Sequence, residues 1–150
     1  MTPEKLLGRA TRQPNGCLRW TGAVKPNGYG IAAHEGKVRS VHRLIYTFLV
    51  GPIPDAYELD HTCHTNDVVC PGDGNCLHRR CVNPAHLEPV THRENTRRGR
   101  GFAGINARRT HCPSGHPYDE ANTLVSRTGG RSCRPCHAEG ERARRLAVVA

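Results

Sequence analysis

Within Leu59–Arg98 an aspartate and a histidine stand side by side, Asp60-His61, and the stretch closes on a polar segment carrying Asn95. Cys63, Cys70, Cys76, Cys81 and His86 lie between them. An imidazole with an ordinary pKa near ~6.5 is suited to take a proton from water at neutral pH. Carboxylate and amide oxygens suit a hard ion such as Mg²⁺, and closely spaced thiolates and imidazoles suit zinc. Phosphodiester hydrolysis asks for this combination: a base for the water, and a cation for the charge that develops on phosphorus and the leaving oxygen. On that reading His61 is the base, and Asp60 and Asn95 hold one Mg²⁺ or another divalent ion. Arg43, with Arg39 as the alternative, clamps the phosphate with its planar fork. Each residue also has a plainer role to set against this one. His61 would serve as a zinc ligand beside Cys63, Asp60 as a cap, and Asn95 and Arg43 as surface residues.

Eight cysteines and ten histidines make zinc the first expectation for the remaining ligands. In the tail, Cys112 and His116 form one pair and Cys133 and Cys136 a second, sixteen residues further on. Two pairs across a finger-sized loop suit a tetrahedral structural zinc; a redox dithiol at Cys133 and Cys136 is the alternative. The central stretch offers more ligands than one ion can use. Cys63, Cys81 and His86 are read as one site with Cys17 as its fourth ligand, and His64, Cys70, Cys76 and His78 as another. Spacing leaves shuffled sets open, such as Cys70, Cys76, His78 and Cys81 on one ion. Three structural zinc ions per chain is the expectation.

These residues need elements to hold them. Residues 1–15 read as a flexible leader. Strands are expected at Cys17–Trp20, Tyr29–His34 and Val38–Val41, with turns at Pro26-Asn27-Gly28 and Glu35-Gly36-Lys37. Trp20, Tyr29, Ile31 and Val38 would share an apolar face. His42–Val50 switches to helical spacing, with Leu44, Ile45, Phe48 and Leu49 inward and Gly51-Pro52 as its stop. Tyr57–His61 reads as extended, 64–80 as a polar glycine-rich excursion, and Asn83–Val90 as a turn and short strand. Thr91 with Glu94 three residues on is a capping box for a helix through Asn95 to about Arg98. Residues 99–110 read as an Arg/Gly-rich linker, and 111–150 as a zinc module followed by a helix exposing Arg142, Arg144 and Arg145.

Composition agrees with a metal-held chain. Of 150 residues only 36% are hydrophobic and 5% aromatic, with Gly 16 and Pro 11, which is little core material. The opening, MTPEKLLGRATRQPNG, has no apolar signal, so a reducing cytoplasmic setting and zinc rather than disulfides are expected. No apolar run is long enough to cross a bilayer. The formal charge of +9, mostly arginine, points to nucleic acid. Arg93, Arg97, Arg98, Arg100, Arg108 and Arg109 are the expected phosphate contacts.

The run VHRLIYTFLVGPIPDAYELDH, followed by CVNPAHLEPVTHRENTRRG, resembles the HNH, or ββα-metal, endonucleases of phage and mobile-element homing type. His61-x-Cys63, Cys81-x-Asn83-Pro84-x-His86 and Asn95 also resemble the His-Cys box homing endonucleases. The resemblance implies an α+β fold: a zinc-stapled ββα-metal nuclease domain over 16–98, with N-terminal antiparallel strands and a C-terminal zinc module. It implies His61 as general base and Asn95 with Asp60 on Mg²⁺. It also implies a zinc on Cys63, Cys81 and His86 completed by an upstream cysteine, which supports Cys17. His86 stands where HNH enzymes often carry asparagine, so a backbone carbonyl near Cys81 is expected to orient His61, and Asn83 to be a turn residue. The tail resembles an extension of some phage HNH proteins. The expected activity is therefore hydrolysis of double-stranded DNA, by a homodimer or by sequential nicking if both strands are cut. The rival is a zinc-stabilised DNA-binding or regulatory protein without cleavage.

Overall fold

The computed structural model describes residues 1–72 and 76–149; the middle of the glycine-rich excursion, 73–75, and Ala150 at the end of the expected tail helix lie outside the described residues. Contacts divide the chain into two compact units, Met1–Ile105 and Asn106–Ala150. The fold is mixed α+β.

The first element overturns the reading of 1–15 as a flexible leader. Thr2 Oγ1 accepts from the Lys5 amide at 3.5 Å and Pro3 occupies the first turn, starting α1 (Pro3–Leu7). α1 is short, but it drives Leu6 to 0% exposure among Trp20, Ala32, Val41, Ile45 and Val82. Leu6→Ala is expected to cost about 2–5 kcal/mol in denaturant unfolding of zinc-loaded protein. A leader without contacts would give no change. After α1, β1 (Ala10–Arg12) pairs antiparallel with β2 (Leu18–Trp20). The Trp20 ring lies so close to Gly22 and Gly30 that a Cβ there would sit 2.5 and 2.6 Å from it. Those two positions therefore exclude larger residues.

β3 (Ile31–His34) and β4 (Lys37–Ser40) form a separate antiparallel pair. Their turn has positive φ at Glu35 and Gly36, the hairpin geometry expected of that tight turn. The register places Val38 opposite Ala33 on the outer face, leaving Val38 63% exposed. Val38 is thus removed from the expected apolar face. α2 (Val41–Leu49) buries Val41, His42, Ile45 and Tyr46, with Leu44 packed at the margin. Phe48 and Leu49, expected inward, point out, and Phe48 meets the edge of His34. The difference arises because the inward stripe begins at Val41, one residue earlier than the predicted helix.

β5 (Tyr57–His61) pairs antiparallel with β6 (Leu87–Thr91), Leu59 and Leu87 joining Tyr46 in a second small core. Between these strands runs the whole ligand-bearing insertion. It begins with α3 (Thr62–Thr65) and includes two 3-10 turns, Leu77–Arg80 and Pro84–His86. α4 (His92–Arg98) follows β6. Thr91 accepts from the Glu94 amide at 3.2 Å, the N-cap half of the expected capping box, while the Glu94 carboxylate binds Arg98. The expected linker is not featureless, since α5 (Phe102–Arg108) lies within it.

In the second unit, β7 (Thr123–Val125) pairs with β8 (Arg131–Cys133), and α6 (Arg134–Val149) follows directly. Arg142, Arg144 and Arg145 are exposed on it, with Arg144 3.0 Å from Glu141. Among the described residues no helix is long and apolar enough to cross a membrane.

Candidate metal centres and the Asp60–His61 site

All eight cysteines are free thiols. They gather with histidines into three sets: Cys17, Cys63, Cys81 and His86; His64, Cys70, Cys76 and His78; and Cys112, His116, Cys133 and Cys136. In each set the ligand atoms lie within 4.8 Å of one another. Zn–S bonds of about 2.3 Å and Zn–N bonds of about 2.0–2.1 Å put tetrahedral ligands roughly 3.3–3.8 Å apart. Cys17 Sγ and Cys81 Sγ each lie 3.6 Å from His86 Nδ1. Cys76 Sγ is 3.6 Å from His64 Nδ1 and 3.7 Å from His78 Nδ1. His116 Nδ1 is 3.5 Å from the sulfurs of Cys112, Cys133 and Cys136. The three sets fit zinc, as zinc-binding modules.

The chain reaches these arrangements by simple means. Adjacent residues of a helix point about 100° apart, so α3 sends Cys63 to the first set and His64 to the second. Cys17 arrives just before β2, and that strand is stitched to Cys81 by a bridge at Arg19 and by the Val82 amide donating to Leu18 at 2.8 Å. Asn83 folds the following turn, accepting from the Ala85 amide at 3.1 Å and donating to the Gly16 carbonyl at 2.8 Å. Electrostatics show what the first set needs. The Cys63 thiol beside it holds Cys81 down to about 4, while Cys81 in turn pushes Cys63 far up, and burial with the Cys81 charge pushes Cys17 up to about 11. Three thiolates share that space only with a cation among them. His61 lies outside all three sets.

Asp60 and His61 are neighbours in an extended strand, so they leave it on opposite sides. Both are 6% exposed. His61 turns toward α2, its ring 5.0 Å from His42 and 5.8 Å from Tyr29. Its Nε2 lies 3.1 Å from the Cys81 carbonyl. A carbonyl only accepts, so Nε2 carries the proton and the neutral ring keeps its lone pair on Nδ1. Burial holds His61 below the ordinary imidazole pKa, favouring that neutral form.

Asp60 turns toward α4. Its two oxygens each accept from Thr65 Oγ1 at 3.2 Å, and Oδ2 accepts from Arg98 at 3.1 Å. Arg98 also binds Glu88, the cross-strand partner of Asp60, at 2.6 Å and Glu94 at 3.1 Å. Asn95 does not meet Asp60 in this arrangement: its Nδ2 donates to Glu58, which also binds His92 at 2.8 Å. The Asn95 amide, then His92, hold the Glu58 carboxyl below its ordinary pKa. The sequence reading grouped Asp60, His61 and Asn95; in the fold the strand turns the first two to opposite sides, and α4 registers Asn95 against Glu58 and Arg98 against Asp60. Glu58 went unread in the sequence, although its place two residues before Asp60 sets it on the same strand face.

Two of the expected phosphate contacts have partners within the protein. Arg98 is committed to carboxylates, and Arg100 donates to the carbonyls of Cys70 at 3.1 Å and Thr65 at 3.0 Å. Arg93, Arg97, Arg108 and Arg109 are exposed. Arg43 is exposed on α2, and its charge adds slightly to the lowering at Glu58.

No family model matches the chain, and no solved structure matches it. It is similar to two proteins of Escherichia phage T7. Protein 7.7 is 32% identical over 80 residues, covering 53% of this chain and 52% of that protein. Protein 2.8 is 29% identical over 135 residues, covering 86% of this chain and 84% of that protein. The matched segment thus spans about half the length of the first relative and most of the second.

Proposed function

We propose that this chain is a zinc-stabilised DNA-binding protein. The observation that carries the reading is the set of three four-ligand Cys/His clusters. A closed tetrahedral zinc has no position left for a substrate, so its contribution is to the fold. The surplus of +9 and the exposed Arg93, Arg97, Arg108 and Arg109 supply what a phosphate backbone attracts. Similarity to two phage proteins is in keeping with a phage-encoded chain. Zinc-loaded protein titrated into labelled duplex should bind with an affinity that falls with salt, at a log–log slope of about −3 or steeper. No binding at low salt ends this reading.

A second, finer reading adds cleavage, and a specific observation favours it. The β5–β6 pair followed by α4, with His61 at the end of β5 held by the Cys81 carbonyl, is what an HNH, or ββα-metal, endonuclease of homing type requires. His61 Nδ1 would take a proton from water as that oxygen bonds to phosphorus and the bond to the 3′ oxygen breaks. Solvent protonates the leaving oxygen, leaving 5′-phosphate and 3′-hydroxyl ends. Asp60 would be the carboxylate to hold a divalent ion, with Glu58 two residues away on the same strand face and Asn95 bonded to Glu58. When bound, Mg²⁺ would offset the charge gathering on the phosphate. Arg43 remains the proposed phosphate clamp.

Supercoiled plasmid with Mg²⁺ or Mn²⁺ separates the two readings. On the nuclease reading the wild type nicks, and His61→Ala lowers the rate by about 10²–10⁴-fold with DNA affinity and zinc content kept. Binding without nicking under either ion leaves the first reading alone. Linear product at early times would point to a homodimer cutting both strands.

A further inference from the structure

We propose that His42 is a positioning residue for His61, and that its inner nitrogen receives a bound water. The inference rests on the nuclease reading, since it concerns how the base is held. One hydrogen bond, from Nε2 to the Cys81 carbonyl, fixes where the His61 ring is anchored but not its tilt about that bond. Two rings supply the missing restraint. His42 packs at 5.0 Å with an interplanar angle of 57°, and Tyr29 at 5.8 Å with 54°. Those two rings also meet each other at 5.3 Å, and the Arg79 guanidinium stands over the outer side of Tyr29. His61 is thereby walled on two sides by aromatic groups from the β2–β3 connection and from α2.

Packing alone does not explain a histidine at this place. His42 sits on the inward stripe of α2 beside Val41 and Ile45, and is 7% exposed. A phenylalanine would fill that position without burying polar atoms. Instead, His42 Nδ1 is buried with no hydrogen-bond partner among the described residues. Buried ring nitrogens are seldom left so, because water is lost and nothing replaces it. The partner such a nitrogen calls for is a small molecule with both donor and acceptor capacity, which in a polar recess is water. A water held there lies beside the ring whose Nδ1 lone pair the nuclease reading uses. The site is distinct from the zinc sets, none of which includes His42.

The test compares His42→Phe with His42→Asn. Phenylalanine keeps a ring against His61 and removes the nitrogen; asparagine places a polar atom near Nδ1 and removes the ring. Zinc content and thermal unfolding establish that each variant is folded. With supercoiled plasmid and Mg²⁺, His42→Phe should lower kcat about 10–100-fold with KM unchanged through loss of the nitrogen, and His42→Asn should lower it as well through loss of the ring. A phenylalanine variant as active as wild type overturns the water site. A second measurement does not depend on cleavage. In ¹⁵N-histidine spectra the wild type should show His61 as a single Nε2–H tautomer, with mixed tautomers or broadened signals in His42→Asn, which lacks the ring. An unchanged His61 spectrum in that variant overturns the positioning role. If wild-type protein fails to nick under every divalent ion tried, the nuclease reading fails on its own account, and the spectra still decide whether His42 holds His61.

Discussion

Cys81→Ser is expected to leave Met1–Ile105 without a cooperative unfolding transition and the protein with at most two zinc ions in place of three. Cys81 is 1% exposed and ties that unit together in three ways. Its sulfur belongs with Cys17, Cys63 and His86, its backbone borders β2 through the Arg19 bridge, and its carbonyl holds His61. A structural zinc contributes about 10–16 kcal/mol to small metal-held folds. A domain of this size has about 5–15 kcal/mol of net stability in all. Losing one thiolate ligand therefore removes more than the unit has to spare. Cys133→Ser is the matched control. It also loses one zinc, but its cluster lies wholly within Asn106–Ala150, so the transition of the first unit should persist. Metal analysis with circular dichroism during heating checks both. A folded Cys81→Ser unit with three zinc ions would refute the partition.

Acid should weaken the protein through His42 well before it weakens most carboxylate contacts. Burial first, then the nearby His61, Arg43 and Lys25, bring the His42 pKa down to about 3. In the unfolded chain the ring titrates near ~6.5. The folded form is depressed, so the unfolded chain binds the extra proton between these values. Stability from this group is fully present above about pH 6.5 and is lost as pH falls toward 3. The full loss is on the order of 5 kcal/mol, at about 1.4 kcal/mol per pH unit inside the window. Zinc ligands also take up protons in acid, so the contribution is isolated by difference. Urea unfolding of wild type and His42→Phe between pH 7 and 5, with zinc present, should give curves that diverge by that slope. Parallel curves would show that His42 takes up its proton as readily in the folded protein as in the unfolded chain.

The ligands were legible because cysteine and histidine announce their chemistry by type and pairing. The exact division of the central eight was not forced by spacing; it depends on α3 splitting Cys63 from His64 and on β2 delivering Cys17. The Thr91 capping box, the Glu35-Gly36 turn and the strand carrying Asp60-His61 are local signals, and each appears where its residues stand. What escaped was tertiary. α1 is a single turn with no strong propensity, held because Leu6 finds a place against Trp20. Arg98 and Arg100 read as phosphate contacts because charge in a sequence carries no direction. Only the docking of α4 shows Arg98 facing Asp60, Glu88 and Glu94. Glu58 became visible when strand alternation put it beside Asn95. His42 stood in the sequence as the first residue of an expected helix, and only the fold sets its ring against His61.

β5 and β6 pair directly, yet the chain between them, residues 62–86, carries seven of the eight ligands of the two central clusters. Until those ligands close on their ions, a long polar loop must be held shut by strand pairing alone, at an entropic cost that delays it. Refolding of the first unit should therefore run at a pace set by free zinc in the surrounding solution. A newly made chain in a zinc-starved cell would linger in a form open to proteases, so the supply of one trace element would govern how much protein accumulates.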